Sequence, residues 1–354
     1  MQILLVGAGL GGHYQAAMAI ADAWAHRFPS DDLCFVGRST KPEDTQAFDH
    51  RCRHIILPRR TFPGLRHALY VRDAARILSE VAPDVLISTG GDIGFAAGLE
   101  AVRRRIPLFL QEQNVTMGRS NRLLLPFAKR CFTGFPSTTK WRLLKRKIIH
   151  SGTPIHIGDR KEPVAAARRF GFAGHRPILL VWGGSQGAES INSAVATMTQ
   201  SPTPISFDIL WITGPDNDPP AAAQHFPGTV IRRRYLSRDE VTDALSCATA
   251  AISRAGGVAI AEMIHMRVPS VLIPYSHAKD DHQRANAAML AGFGAARILD
   301  PCALNPDALL NLTLPLLEPD GPATALRVGL ADPKLSPGGA SLIVEEIATT
   351  LGRC

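Results

Sequence analysis

One local pattern occurs twice in this chain: an apolar run, a glycine-rich turn and a helix. Residues 1–6 lead into the turn at 7–13, and residues 177–181 lead into the turn at 182–188. Glycines at such a turn let a ligand approach the backbone, and the unpaired N–H groups that begin the helix favour a bound phosphate. Since the unit recurs halfway along the chain, the sequence predicts an α/β protein with two Rossmann-like domains in tandem.

The expected first domain covers residues 1–157 and the second covers 158–354, with a linker around 157–176 and a ligand cleft between the domains. The length of 354 residues and a hydrophobic fraction of 45% supply two cores of this size. The six cysteines lack CxxC or metal-ligand spacing, which indicates reduced thiols in a cytoplasmic protein. No apolar run approaches the roughly 20 residues that span a bilayer.

Three polar segments of the first half are expected at one edge of the predicted sheet, because ligands of open α/β sheets lie beyond the carboxyl ends of the strands. They are the first glycine turn, the segment 89–92 and the segment 111–114. The first turn spells GxGxxG and is followed at once by His13, a titratable side chain directed at the crevice. This turn and Arg38 also suit an NADP-dependent oxidoreductase, since an arginine after the second strand can bind a 2′-phosphate.

The stretch 251–287 carries most of the polar chemistry of the second half. Its strand, glycine turn and helix place Gly256 at the start of the helix and Glu262 one to two turns inside it, where a carboxylate can accept hydrogen bonds from ribose hydroxyls. A further strand delivers a polar loop that ends in His282 and Gln283, with Asn286 one turn later. Donors and acceptors at the ends of two adjacent strands predict a site for a sugar- or phosphate-containing ligand.

A set of motifs extends in order over nearly the whole chain: Gly11-Gly12-His13, Gln111-Glu112-Gln113-Asn114, Gly152-Thr153-Pro154, Gly183-Gly184-Ser185-Gln186-Gly187-Ala188, Ser253-Arg254-Ala255-Gly256 with Glu262, and His282-Gln283 with Asn286-Ala287. Together they resemble the MurG family of bacterial glycosyltransferases. The resemblance implies a GT-B fold of two Rossmann-like domains facing across a cleft. It also implies transfer of N-acetylglucosamine (GlcNAc) from its UDP donor to lipid I, the undecaprenyl-linked muramyl-pentapeptide, giving lipid II with inversion at the anomeric carbon.

The resemblance further implies a peripheral enzyme of peptidoglycan synthesis at the cytoplasmic face of the membrane, with no cofactor, no metal and no nucleic acid partner. By position, the family's donor-binding roles fall on Gly11, Gly12, Asn114, Ser185, Leu236, Arg254, Gly256, Gly257, Val258, Glu262 and Gln283. Leu236 is expected to lie against the uracil, and Glu262 to hold the ribose. His13 is the expected catalytic base, Glu112 is its rival, and positioning of the acceptor or diphosphate is an alternative role for His13.

Several positions depart from the family pattern. Leu10 replaces a threonine, Asp92 a tyrosine and Gln111 a histidine. The run 153–156 replaces Asn-Pro-Val-Arg, so His156 is expected to keep a donor contact without the bidentate fork of an arginine. These changes lie on the acceptor side and at the hinge. Transfer to another lipid-linked acceptor and a UDP-sugar-binding protein without turnover therefore stay open as alternatives.

A basic surface with exposed apolar side chains is predicted within residues 57–76. Its arginines and apolar residues are Arg59, Arg60, Arg66, Arg72 and Arg76, interleaved with Phe62, Leu65, Leu69, Tyr70 and Val71. The formal net charge of +8 favours an anionic partner in general, and this pattern favours an anionic membrane surface. A solvated amphipathic helix is the alternative interpretation.

Overall fold

The computed structural model describes residues 1–7, 11–38, 52–58, 66–136, 142–184, 187–200, 206–215, 217 and 226–353. The chain separates into two compact units. The first consists of residues 1–156 and 336–354, and the second of residues 157–335. Each unit contains its own parallel sheet.

The described part of the first unit contains a seven-stranded sheet. Its strands are β1 (Gln2–Gly7), β2 (Asp32–Arg38), β3 (Cys52–Leu57), β4 (Val85–Gly90), β5 (Leu108–Glu112), β6 (Arg130–Thr133) and β7 (Ile148–His150). Their spatial order is 3-2-1-4-5-6-7, so the strand order reverses between β1 and β4. Strands buried on both faces read as continuous apolar runs, which is why residues 3–6 gave a clear strand signal.

Helices cover both faces of this first sheet. Alternate residues of β1 point to opposite faces, so Ile3 and Leu5 pack with helix α1 (Gly12–Arg27) on one side. On the other side Leu4 and Val6 belong to the core that contains residues of α2 (Arg66–Val81), α3 (Gly91–Arg103) and α4 (Arg119–Leu124). The ends of β1, β4 and β5 are thereby held between two packed layers.

The prediction of an exposed stripe on α2 is wrong at Tyr70. This side chain is 2% exposed and packs in the core with Ile77 and Leu78, because helical periodicity places the three on one face. Val71 and Arg72 are exposed, and Leu69 is half-buried. Residues 59–65, which include Phe62 and Leu65, and the side chain of Arg66 lie outside the described part of the structure.

The second unit repeats the architecture with a six-stranded sheet in its described residues. Its strands are β8 (Ile178–Trp182), β9 (Asp208–Ile212), β10 (Val230–Arg233), β11 (Ala250–Ser253), β12 (Ser270–Leu272) and β13 (Arg297–Ile298). Its helices are α5 (Pro163–Phe170), α6 (Glu189–Met198), α7 (Arg238–Cys247), α8 (Gly257–Met266), α9 (His282–Gly292), α10 (Pro306–Leu317) and α11 (Ala323–Leu330). The order 10-9-8-11-12-13 reverses between β8 and β11.

The expected linker at 157–176 contains a helix, α5. The Glu162 carboxylate caps it by accepting hydrogen bonds from the amides of Val164 at 3.0 Å and Ala165 at 2.6 Å. Pro163 occupies the first turn, where its missing N–H costs nothing, and Gly171 ends the helix with a φ of 98°. These start and stop signals for a helix were present in the sequence.

The C-terminal helix α12 (Gly339–Thr350) belongs to the first unit, although residues 158–354 were expected to form the second domain. Ile343 and Ile347 are fully buried against the same face of the first sheet as α1. Arg353 then reaches Asp31, whose carboxylate also accepts from the N-terminal ammonium at 2.7 Å and from Trp24 at 2.9 Å. Burial by itself would raise the pKa of Asp31, but these hydrogen bonds outweigh it and lower the pKa to about 2.

None of the helices in the described ranges is long and apolar enough to cross a bilayer.

Candidate active site

The end of β1 lies beside the end of β4, at the point where the strand order of the first sheet reverses. Open α/β sheets bind ligands at this position, because the loops leave the two strands in opposite directions and open a crevice. Gly11, with a φ of 80°, precedes α1, and Gly12 and His13 form its first turn. The preceding residues 8–10, including Leu10, lie outside the described part of the chain.

His13 contacts the ends of two further strands. Its Nδ1 lies 2.5 Å from the carbonyl oxygen of Thr89, at the end of β4. The same Nδ1 lies 2.8 Å from the side-chain amide nitrogen of Gln113, just after β5. In return, the Thr89 hydroxyl donates to the His13 carbonyl at 2.9 Å. The imidazole is therefore fixed at the strand ends, as the sequence predicted for its position in the crevice.

Two glycines make room for this arrangement. A Cβ on Gly7 would lie 2.6 Å from the Thr89 hydroxyl, so β1 and β4 approach this closely only because residue 7 has no side chain. Gly90 has a φ of 103°, a conformation that L side chains rarely adopt, and a Cβ there would lie 3.2 Å from Cε1 of His13. Because neither residue has a side chain, the histidine ring can pack against the strand ends.

Glu112, the rival base, has its carboxylate engaged by its own loop. One oxygen accepts from the backbone and side-chain amides of Asn114 at 3.0 and 3.2 Å. The other accepts from the backbone of Gly118 at 2.8 Å and from Asn121 at 3.0 Å. With 3% exposure and four donors, the carboxylate organises the loop 113–118. This arrangement favours His13 over Glu112 as the base.

Two other predicted positions of the first unit have different surroundings. Gln111 is fully buried, and neither atom of its side-chain amide has a hydrogen-bond partner among the described residues. His156 lies with Nε2 at 2.5 Å from the carboxylate of Asp22, on the middle of α1. Asp22 is nine residues from His13, which is about 13 Å along the helix. The donor contact of His156 stays a prediction.

The second reversal of strand order places the loop after β8 beside the loop after β11. Ser185 and Gln186 of the first loop lie outside the described residues. In the second loop Gly256 caps α8, and a Cβ on Gly256 would meet nothing within 4 Å. The amides of Gly257 and Val258 follow in the first helical turn. Because the first N–H groups of a helix lack partners within it, this open terminus suits an anion.

Arg254 connects three elements at the same edge. Its guanidinium donates to the carbonyls of Ile273 at 3.2 Å and Pro274 at 3.3 Å, and to the hydroxyl of Ser190 at 2.9 Å. It also lies 5.5 Å from the ring centre of Tyr275. Among the described residues no carboxylate pairs with it, and burial lowers its pKa. The site thus has a partly desolvated positive charge beside the helix terminus.

Glu262 lies on α8, between one and two turns beyond Gly256. No donor in the described part of the protein hydrogen-bonds to its carboxyl group, although the side chain is only partly exposed. Burial without such partners raises its pKa to about 8. A carboxyl group in this state has acceptor capacity that the hydroxyls of a bound sugar can satisfy.

Gln283 and Asn286, on α9, adjoin the same edge. The side-chain oxygen of Gln283 accepts from the backbone of Tyr275 at 2.9 Å, which leaves the amide NH₂ group oriented as a donor. Asn286 is fully buried and donates to the carbonyl of Ala255 at 3.0 Å. It therefore ties α9 to the glycine turn. Sequence reasoning placed Asn286 among possible ligand contacts, whereas the structure shows a supporting contact.

Leu236 lies apart from this group in the second sheet. It follows the edge strand β10, and β9 separates that strand from β8. The side chain is 6% exposed and directly precedes the cap of α7. Its contact with uracil stays a prediction.

Comparisons with known proteins bear on both units. Residues 3–133 match the glycosyltransferase family 28 N-terminal domain, and residues 178–325 match the glycosyltransferase family 28 C-terminal domain. A protein of Chlorobium phaeobacteroides is 33% identical over 333 residues, with 90% of each chain covered. One of Acidithiobacillus ferrooxidans is 31% identical, covering 97% of this chain and 95% of the relative. Both bear the name UDP-N-acetylglucosamine--N-acetylmuramyl-(pentapeptide) pyrophosphoryl-undecaprenol N-acetylglucosamine transferase.

Solved structures agree on the fold. MurG of Acinetobacter baumannii has a TM-score of 0.71 at 22% identity, with 98% of this chain and 99% of that one covered. The calicheamicin glycosyltransferase has a TM-score of 0.70 at 16% identity, covering 100% and 99%. The expected GT-B fold is confirmed by these neighbours and by the two parallel-sheet units. With both family 28 domains present and relatives above 30% identity over nine-tenths of its length, the chain belongs to the MurG family of glycosyltransferases.

Proposed function

We propose that this protein transfers GlcNAc from UDP-GlcNAc to lipid I and forms lipid II, the step of peptidoglycan synthesis after which its relatives are named. One observation carries the proposal. An open helix terminus adjoins the switch point of the second sheet, together with a guanidinium that pairs with no carboxylate and a carboxyl group that accepts no hydrogen bond, both judged among the described residues. These groups match the diphosphate and ribose of a nucleotide sugar.

In this proposal the diphosphate binds at the start of α8, where the amides of Gly257 and Val258 and the charge of Arg254 meet its oxygens. Glu262 accepts hydrogen bonds from the ribose hydroxyls. Gln283, already oriented by the loop backbone, donates to the sugar or the diphosphate. A dehydrogenase would need one such crevice, whereas this chain has a second one in the first unit around His13.

The reaction needs a base and stabilisation of the leaving group. As the acceptor oxygen attacks the anomeric carbon, its proton passes to Nε2 of His13. The bond between that carbon and the UDP oxygen breaks, and its electron pair leaves with UDP. The amides at the start of α8 and the guanidinium of Arg254 stabilise the added charge. Attack on the face opposite UDP inverts the configuration, and these steps use only side chains and backbone groups of the protein.

The direct test is incubation of the purified protein with UDP-GlcNAc and lipid I, followed by analysis of the lipid product. The proposal predicts a disaccharide with a β-linked GlcNAc, and little transfer from UDP-glucose. Binding of UDP-GlcNAc without any product would favour the alternative of a sugar-binding protein. Binding of NADPH in its place would contradict the assignment of the donor site.

An exposed apolar and basic surface on the first unit is our candidate for the membrane contact, which the lipid acceptor requires. Its apolar side chains lie on α2, α3 and α4, whose buried residues share one core, and in the turn after α4: Val71, Leu99, Leu123 and Phe127. Arg72, Arg122 and Lys129 are exposed on the same elements or next to them. Apolar side chains that enter a bilayer beside cations that meet its head groups produce peripheral binding.

Vesicle sedimentation tests this surface. Replacing both Leu123 and Phe127 with serine should reduce binding to vesicles that contain phosphatidylglycerol by about tenfold or more, because about 3 kcal/mol of apolar burial is lost. Val328→Ser is the matched control, since Val328 is 72% exposed on α11 in the second unit. Equal binding by the double variant and the control would exclude this surface as the membrane contact.

A further inference from the structure

Nδ1 of His13 lies against two groups, the Thr89 carbonyl at 2.5 Å and the Gln113 amide at 2.8 Å. A carbonyl oxygen only accepts hydrogen bonds, so the contact with Thr89 requires a proton on Nδ1. A neutral imidazole that carries its proton on Nδ1 has its lone pair on Nε2. The backbone of β4 thereby selects the tautomer that can act as a base through Nε2.

The amide of Gln113 has to fit this tautomer. As placed, its nitrogen is a donor that faces the N–H of His13, while its oxygen is buried and has no partner among the described residues. Rotating the amide by half a turn exchanges the two atoms, which occupy nearly the same volume. The oxygen then accepts from Nδ1, and the repulsion between two donors disappears.

We propose that Gln113 is a positioning residue that fixes His13 in the Nδ1-protonated tautomer and stabilises the imidazolium formed during transfer. This inference rests on the proposed role of His13 as the base. When the acceptor O–H bond breaks, its proton binds Nε2, and its electron pair forms the bond to the anomeric carbon. The positive charge on the ring is then shared, through Nδ1–H, with the oxygens of Thr89 and Gln113. A similar orienting oxygen serves the histidine of catalytic triads.

The surrounding structure fixes Gln113 in place. The side chain is 4% exposed, and the adjoining Glu112 binds the backbone amides of Asn114 and Gly118. The loop therefore cannot move its amide away from His13 without breaking several charge-assisted hydrogen bonds. Buried amides with this degree of constraint hold the ring that they contact in one orientation.

Nitrogen-15 NMR of histidine-labelled protein tests the tautomer without any turnover. We expect the proton of neutral His13 on Nδ1 in the unsubstituted protein and in Gln113→Glu. In Gln113→Leu the Thr89 carbonyl alone favours this tautomer, so we expect a larger share of the Nε2-protonated form than in the unsubstituted protein. Gln111→Leu is the matched control, because Gln111 is a similarly buried glutamine two residues earlier, in β5, that makes none of the described hydrogen bonds to His13. A proton on Nε2 of His13 in the unsubstituted protein would overturn the proposal.

The pH dependence of kcat tests the stabilisation of the imidazolium. Gln113→Leu should lower kcat about tenfold with an unchanged KM for UDP-GlcNAc, and should move the acidic limb to lower pH. Gln113→Glu should move that limb to higher pH by about one unit, because a carboxylate favours the charged ring. Shifts in the same direction, or no shift in either variant, would contradict the positioning role.

The two proposals can fail separately. If His13→Ala keeps its turnover while NMR still shows a tautomer that depends on Gln113, the proposed base is wrong and the positioning inference stands. If His13→Ala abolishes turnover while both Gln113 variants leave the tautomer and the pH profile unchanged, the base stands and the role of Gln113 is refuted.

Discussion

Replacing Glu262 with glutamine is expected to stabilise the fold and weaken the donor site. The carboxyl group of Glu262 is held by burial at a pKa of about 8, against an ordinary value of 4.5. Because the folded-state pKa is raised, the folded protein keeps its full stability below about pH 4.5 and loses stability as the pH rises towards 8. Each pH unit in this window costs up to about 1.4 kcal/mol, so the penalty at pH 7 is at most roughly 3 kcal/mol.

Glutamine has nearly the same shape and does not ionise, so Glu262→Gln removes this penalty. Urea unfolding between pH 4 and pH 8 should show a free-energy difference between the variant and the unsubstituted protein that is close to zero at pH 4 and grows with pH. Glu318→Gln, at an exposed carboxylate of the same unit, is the control and should show no such trend. A difference that is independent of pH would refute the reasoning.

The same position tests the donor site. Glu262→Ala removes the acceptor for two ribose hydroxyls and should weaken UDP binding by about tenfold in calorimetry, because each lost hydrogen bond is worth roughly 0.5 to 1.5 kcal/mol. Unchanged UDP affinity in a variant that unfolds cooperatively would remove Glu262 from the donor site.

Two further predictions concern the first unit. Arg353→Ala should lower the free energy of unfolding by about 1–3 kcal/mol at neutral pH, since it leaves the buried Asp31 with fewer partners. That loss should shrink as the pH falls towards 2, where Asp31 becomes protonated, and a constant loss would argue against this ion pair. Glu112→Gln should lower the melting temperature, with a smaller effect on turnover than His13→Ala, because its carboxylate holds a loop. Abolished turnover with unchanged melting would identify Glu112 as the base.

Much of the fold could be predicted because the relevant signals are local. Two parts of the fold, β1 with α1 and β8 with the loop after it, could be predicted from an apolar run followed by a glycine turn and a helix. The motif order pointed to the family, and the residues at the ends of β11 and β12 lie where their spacing predicted. Gly256, Glu262 and Gln283 lie near one edge of the second sheet because adjacent parallel strands end there.

The rest depends on contacts between distant parts of the chain. His13, Thr89 and Gln113 meet only because the strand order places β4 between β1 and β5, which no local pattern reveals. The packing of α12 on the first sheet likewise requires knowledge of which apolar face is uncovered. The helix α5 was missed for a different reason. Its capping residue Glu162 and its terminating residue Gly171 could be recognised in the sequence, but the polar residues around them favoured a linker.

The role of His13 as the base can be tested by comparing turnover with donor affinity in His13→Ala. We expect kcat to fall by roughly 10²- to 10⁴-fold with an unchanged dissociation constant for UDP-GlcNAc. His26→Ala, at an exposed histidine near the end of the same helix, should retain both values. Full turnover in His13→Ala, or a loss that lies entirely in donor affinity, would show that His13 is not the base.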